Sequence, residues 1–182
     1  RISVKREPQG LASGWLHDQV FVGSVLKVAA PAGEFYLADN PARPVVLLSG
    51  GVGLTPMVAM LEAHVESRSD VPVHYVHGTH DRETHAMRNQ VRELAARGAS
   101  VRVTEFHQTP LADEVAGQDY DCAGLITEEW LIDNTPVGEA DFYIFGPRPF
   151  LRAAVSSLSL AGVPSDHIHY EFFGPADELL AA

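Results

Sequence analysis

The run Pro44-Val45-Val46-Leu47-Leu48-Ser49-Gly50-Gly51-Val52-Gly53-Leu54-Thr55-Pro56 constrains this chain more than any other stretch. A short apolar segment bounded by Pro and Gly reads as a strand. The glycines then permit a sharp turn and leave no Cβ to hold a ligand away. A helix follows at once, with Met57, Met60, Leu61 and His64 on one face. Thr55 is its expected N-cap and Pro56 its expected first residue. Free N–H groups and the positive dipole end of that helix would point at the turn, which is how a backbone holds a phosphate. Gly50, Gly51, Gly53 and Thr55, with Val52 and Leu54 between them, are therefore the candidate pyrophosphate cradle. Pro56 stands where the common G-x-G-x-x-G pattern has its third glycine.

Downstream the chain alternates strand and helix. Strands are expected at Val71–Val76, Ser100–Phe106, Asp141–Phe145 and His167–Phe173. Between them, Asp81–Ala96 reads as a helix with Met87, Val91, Leu94 and Ala95 on one face, closed by Gly98. Thr127-Glu128-Glu129-Trp130 opens a short helix, and a last one carries Leu151, Ala154, Val155 and Leu158. Thr109–Tyr120 has no clear period. The pattern is α/β: a Rossmann-like parallel five-stranded sheet with helices on both faces. Sites in such sheets lie at the carboxyl ends of strands, here the Gly50 turn, His77-Gly78, Gly146-Pro147 and Phe173-Gly174. No acid ends the Val71–Val76 strand to bond a ribose 2′-hydroxyl. Arg82 and Arg88 could meet a 2′-phosphate or could be surface charges.

Residues 1–43 read differently, as mostly β. Arg1–Arg6, Val25–Val28 and Phe35–Leu37 are expected strands, Ser13 is the expected cap of a short helix, and Asn40–Pro44 is a linker. The chain opens on Arg in mid-alternation, so it reads as the C-terminal part of something longer.

Composition narrows the functions. With 13 basic and 24 acidic residues the formal net charge is −11, which disfavours nucleic acid or an acidic membrane as partner. No signal peptide or run of membrane-spanning length is present. A single cysteine, Cys122, precludes an internal disulfide framework and suits a reducing cytoplasm. His77-x-x-His80 and His167-x-His169 have ligand-like spacing, but no closing Cys or carboxylate motif accompanies them, and no metal is expected. No G-x-S-x-G elbow supports a serine hydrolase.

The order of these pieces resembles the ferredoxin–NADP reductase superfamily, in which a flavin-binding β-barrel precedes a nucleotide-binding α/β domain. Gly50–Pro56 matches its G-x-G-x-x-P loop, and Phe145-Gly146-Pro147-Arg148-Pro149-Phe150 is similar to its C-G-P motif. Leu16-His17-Asp18, Ala30–Phe35 and the tail Ile168–Pro175 resemble more narrowly the reductase part of flavohaemoglobins, the nitric oxide dioxygenases.

The resemblance implies residues 1–43 as the C-terminal part of an antiparallel FAD-binding β-barrel and 44–182 as an NAD(P)H-binding domain. It implies FAD and NAD(P)H as cofactors, with haem only in a globin domain of the same longer chain. NAD(P)H would reduce FAD, and the electrons would pass to that haem for oxidation of NO to nitrate. Gly146 and Pro147 would lie near the nicotinamide, and Ser13 at the FAD pyrophosphate. Phe172, Phe173, Gly174 and Pro175 would form the tail across the flavin, Phe173 shielding one face. Glu171 and Phe145 are the candidate catalytic positions: Glu171 would tune the flavin, and Phe145 stands where the family has Cys beside the hydride-transfer centre. The family's Arg-x-Tyr-Ser flavin segment would fall upstream of Arg1. Two alternatives stay open, a reductase component of an oxygenase and a nucleotide-binding module without catalysis.

Overall fold

The computed structural model describes residues 2–30 and 32–171. The chain divides into two compact units, Arg1–Glu34 and Phe35–Ala182.

The first unit carries one helix, α1 (Leu11–Gln19). The segment before it is strapped to α1 by two contacts. Arg6 pairs with Asp18 through both terminal guanidinium nitrogens, and His17 Nε2 donates to Val4 O at 2.9 Å. The strands expected at 1–6 and 25–28 are not formed among the described residues, nor is that at Phe35–Leu37. A strand exists through its ladder, and these segments have no ladder partner among the described residues. Ser13 is likewise not the cap. Gly10 takes that position, and Ser13 Oγ, inside the first turn, donates to Gly10 O and accepts from Glu7 N.

The second unit is a parallel sheet of β1 (Val45–Gly50), β2 (Val73–Thr79), β3 (Val101–His107), β4 (Cys122–Ala123), β5 (Asp141–Phe145) and β6 (Ile168–Tyr170). The order is β4-β3-β2-β1-β5-β6, so β1 lies between β2 and β5. The sheet thus has six strands where the sequence implied five. The sixth, β4, pairs two residues with the end of β3, Phe106 with Cys122 and His107 with Ala123. Two residues are too few to show a period.

Helices α2 (Leu54–Ser67) and α3 (Arg88–Arg97) cover one face, while α4 (Glu128–Asn134) and α5 (Arg148–Leu160) cover the other. Strand residues alternate between two cores. Val45, Leu47 and Tyr143 meet Met57, Leu61 and Leu94 on one side. Val46, Leu48 and Ile144 meet Leu131, Leu151 and Leu158 on the other. Every residue of β1 is buried, as a central strand covered on both faces requires.

Two helix starts differ from expectation. A 3-10 turn, Gly51–Gly53, runs directly into α2, so Gly53 is the N-cap and Thr55 lies within the first turn. Pro56 falls at the third helical position, where its missing N–H still has no intrahelical partner to lose. The helix expected from Asp81 is broken. Asp81 and Thr84 satisfy each other's backbone N–H groups in a capping box around the 3-10 turn Arg82–Thr84. Met87 then adopts a left-handed conformation, φ 55°, before α3 begins.

Candidate functional site

Chain order reverses in space between β1 and β5, and the turns that leave these two strands meet there. Their backbones are in close contact. A Cβ on Gly146 would lie 3.1 Å from both N and O of Gly50 and 2.7 Å from Phe150. A Cβ on Gly53 would overlap Phe145 O and lie 2.8 Å from Gly146 Cα. Gly53 and Gly146 therefore let two turns pack backbone to backbone. Gly51 differs: its φ is +53°, and a Cβ there would meet nothing within 4 Å. Of the three loop glycines, it is the one with open space beside it.

That space belongs to a cleft of about 250 Å³. Gly50 and Gly51 line it from the end of β1 and the turn after it, Gly78, Thr79 and His80 from the end of β2 and just past it, and Gln108 from just beyond β3. Gly124, Leu125 and Ile126 follow β4, while Pro147 comes from the β5–α5 turn and Phe150 from the first turn of α5. Leu125, Ile126 and Phe150 supply apolar surface, and the backbone around Gly50 and Gly51 supplies the polar side. No lining residue is Lys, Arg, Asp or Glu.

The arginines near the β2 end are engaged elsewhere. Arg82 pairs with Asp113 at 2.8 Å. Arg88 Nε and Arg92 reach the buried Glu105 at 3.1 and 2.6 Å, and both arginines donate to Gln118 O. Arg82 and Arg88 are thus fastened to the segment after β3. Asp81 is fastened too, accepting from Thr84 N and from its hydroxyl, with His80 Nδ1 at 2.9 Å. The His80 and Thr84 hydrogen bonds hold the Asp81 carboxyl below its ordinary range, against the effect of burial.

The other expected positions fall as follows. Gly50, Gly51 and Pro147 line the cleft. Val52 is exposed, and Leu54 is buried in the α2-side core. Phe145 is 8% exposed and packs on Phe35, ring centroids 5.9 Å apart. Its side chain fills the α2-side core, and its backbone meets Gly53. Glu171 is half-buried just past β6, at the sheet edge beyond β5. Ser13 belongs to the first unit. Phe172, Phe173, Gly174 and Pro175 lie outside the described residues. Sequence reasoning missed Thr79, Gln108, Gly124, Leu125 and Ile126, and had named His80 only for its ligand-like spacing and Phe150 only as the end of the C-G-P-like segment. The strand-end rule had marked Gly78 next to them, but only the strand order brings the ends of β2, β3 and β4 to one cleft.

Among the described residues, no helix is long and apolar enough to cross a membrane. The family described as the oxidoreductase NAD-binding domain matches residues 47–156. A flavohemoprotein of Xylella fastidiosa is 51% identical over 183 residues, covering 100% of this chain and 45% of that protein. One from Rhizobium meliloti is 43% identical, covering 96% and 44%. The chain therefore spans less than half the length of the curated relatives it matches. The crystal structure of the flavohem-like FAD/NAD-binding domain of nitric oxide dioxygenase from Vibrio cholerae superposes with a TM-score of 0.83. It is 34% identical, covering 94% of this chain and 70% of that one.

Proposed function

From a chain that belongs to the oxidoreductase NAD-binding domain family, and to the flavohemoprotein reductases within it, we propose the NAD(P)H-binding unit of a nitric oxide dioxygenase-type enzyme. In this reading residues 44–182 bind the nicotinamide nucleotide, and residues 1–43 join a flavin-binding barrel whose strands come from a longer chain. When bound, NAD(P)H supplies a hydride to FAD, and the electrons continue to haem in a globin domain for oxidation of NO.

The observation that carries the reading is Gly51. Its left-handed backbone opens onto a cleft at the β1–β5 switch, beside the start of α2, in a wall without carboxylates. This supports a pyrophosphate there, since no Cβ stands beside Gly51 and the first N–H groups of a helix start have no intrahelical partner. Leu125, Ile126 and Phe150 offer a planar base an apolar surface. Gly146, packed against Gly50, and Pro147 after it belong to the turn that would border the nicotinamide. Binding energy spent on the nucleotide holds the reacting carbon in place, which is the protein's share of the rate.

The test has two arms. Calorimetry on the 182-residue chain is expected to show NADH binding that is weakened by Gly51→Val. In the full-length protein, anaerobic NADH is expected to bleach the flavin band near ~450 nm. Binding without bleaching would leave a nucleotide-binding module without catalysis. Absence of binding would end the reading.

A further inference from the structure

On the α3-side face of the sheet, the amino-terminal halves of β1, β2 and β3 are apolar and the carboxyl-terminal halves are not. Val45 and Leu47 give way to Ser49, Val73 and Tyr75 to His77, and Val101 and Val103 to Glu105 and His107. Ser49, His77, Glu105 and His107 are all nearly or fully buried. Polar groups so placed are costly unless satisfied, and here they are joined through one residue from outside the sheet. His85, its side chain 2% exposed, stands between the ends of β2 and β3. Its ring lies 5.0 Å from that of His77, and its Nδ1 is 3.2 Å from His107 Nε2.

The chain of bonds has a direction. Glu114 accepts from His107 Nδ1 at 2.6 Å and from Arg82 N at 2.6 Å. Those bonds hold the Glu114 carboxyl below its ordinary range, although burial opposes them. With Nδ1 of His107 donating, its Nε2 accepts, and His85 Nδ1 is the donor. His77 Nδ1 is held at 2.9 Å by Ser49 Oγ.

His85 thus ties together two segments that border the cleft. It sits in the stretch from Thr79 to Met87, which carries Thr79 and His80. It bonds His107, which immediately precedes the cleft residue Gln108 and is bonded to Glu114 in the following loop.

We propose that His85 is a positioning residue for the nucleotide: as a neutral imidazole between His77 and His107, it sets the spacing of the β2-end and β3-end walls of the cleft. The proposal rests on the nucleotide reading above. A proton on His85 would enter a crowded site. His77 faces it from β2, His107 and Glu105 from β3, and Arg88 and Arg92 from α3, with Glu114 behind His107. Burial, opposed by Glu105 and reinforced by the neighbouring cations, pushes its pKa down to about 4. The neutral, wall-setting form is present above that value and lost as pH falls through it.

The experiment compares wild type, His85→Ala and His85→Gln as the 182-residue chain. Readouts are NADH affinity by calorimetry and amide exchange in segments 79–87 and 108–120. At neutral pH His85→Ala is expected to weaken NADH about tenfold and to speed exchange in both segments. His85→Gln, whose amide can still donate to His107, is expected to stay close to wild type in both readouts. On acidification wild-type affinity should fall toward pH 4, while that of His85→Gln stays flatter. A folded His85→Ala with wild-type affinity or unchanged exchange overturns the proposal, as do coincident pH profiles for wild type and His85→Gln. If wild type binds no NADH while His85→Ala still loosens both segments, the nucleotide reading fails and the fastening stands without a ligand to position.

Discussion

The α-carbon of Gly53 is packed against the backbone of Phe145, so closely that a Cβ would lie 2.5 Å from the Phe145 carbonyl carbon. The glycine loop and the turn after β5 are therefore a single packed unit, and the loop glycines do different work. Gly53→Val is expected to destabilise the protein, because backbone rather than a flexible side chain must move. Gly51→Ala is expected to cost about 1–2 kcal/mol for its left-handed backbone and to weaken NADH. Thermal unfolding with calorimetry separates the two. A Gly53→Val protein of wild-type stability would contradict the close contact.

Phe145→Cys is expected to destabilise the chain by about 2–4 kcal/mol, because it removes a buried ring that packs on Phe35. Urea denaturation measures this. The same substitution places the family residue beside the turn, so flavin reduction in the full-length protein should be followed by stopped flow. A gain in rate would assign the Phe145 position to hydride geometry as well as to packing.

NADH is expected to be preferred to NADPH. No lining residue carries a formal positive charge, and Arg82 and Arg88 are paired with Asp113 and Glu105. Steady-state kcat/KM of the full-length protein with each nucleotide checks this. Arg82→Ala should leave the preference in place, and a selective loss of NADPH activity would show Arg82 leaving Asp113 for the ligand.

Stability is expected to fall in acid before the carboxylates titrate. His74, bonded to Thr104 Oγ1 at 2.9 Å, has its pKa lowered from 6.5 to about 4, by burial first and then by the Arg102 charge. Below pH 6.5 the unfolded chain takes up this proton while the folded one resists it. Stability from this group is therefore full above 6.5 and lost as pH falls toward 4, on the order of 2–3 kcal/mol. His74→Phe should flatten that part of the profile in urea unfolding across pH. An unchanged slope would mean that His74 is protonated at its ordinary pKa in the fold.

Under the proposed reading, which sets Glu171 beside the flavin, Glu171→Gln in the full-length protein is expected to raise the flavin reduction potential, since a negative charge there disfavours added electrons. Spectroelectrochemistry tests it. An unchanged or lowered potential would leave Glu171 as a half-buried surface acid.

The sequence by itself determined the α/β class, the bounds of β5 and the place of the short helix α4, because each rests on local chemistry. Asp141–Phe145 is a strand as read, and a short helix opens at Thr127–Trp130 as read; the structure adds that Thr127 caps it, its hydroxyl accepting from Trp130 N. A covered strand must be apolar, and a helix start must satisfy its N–H groups, wherever the element ends up. Tertiary structure decided what depends on partners distant in the chain. It split the helix expected from Asp81 and removed the strands expected before residue 44 from the described fold. It added β4 through two pairings with β3, and packed Gly53 against the backbone of Phe145. It also joined His77, His85 and His107, which lie up to 30 residues apart and share no sequence period, because adjacent parallel strands bring distant residues to one edge. Local preference is written in neighbouring residues, whereas the spacing of strand ends is set only when the sheet closes around its two cores.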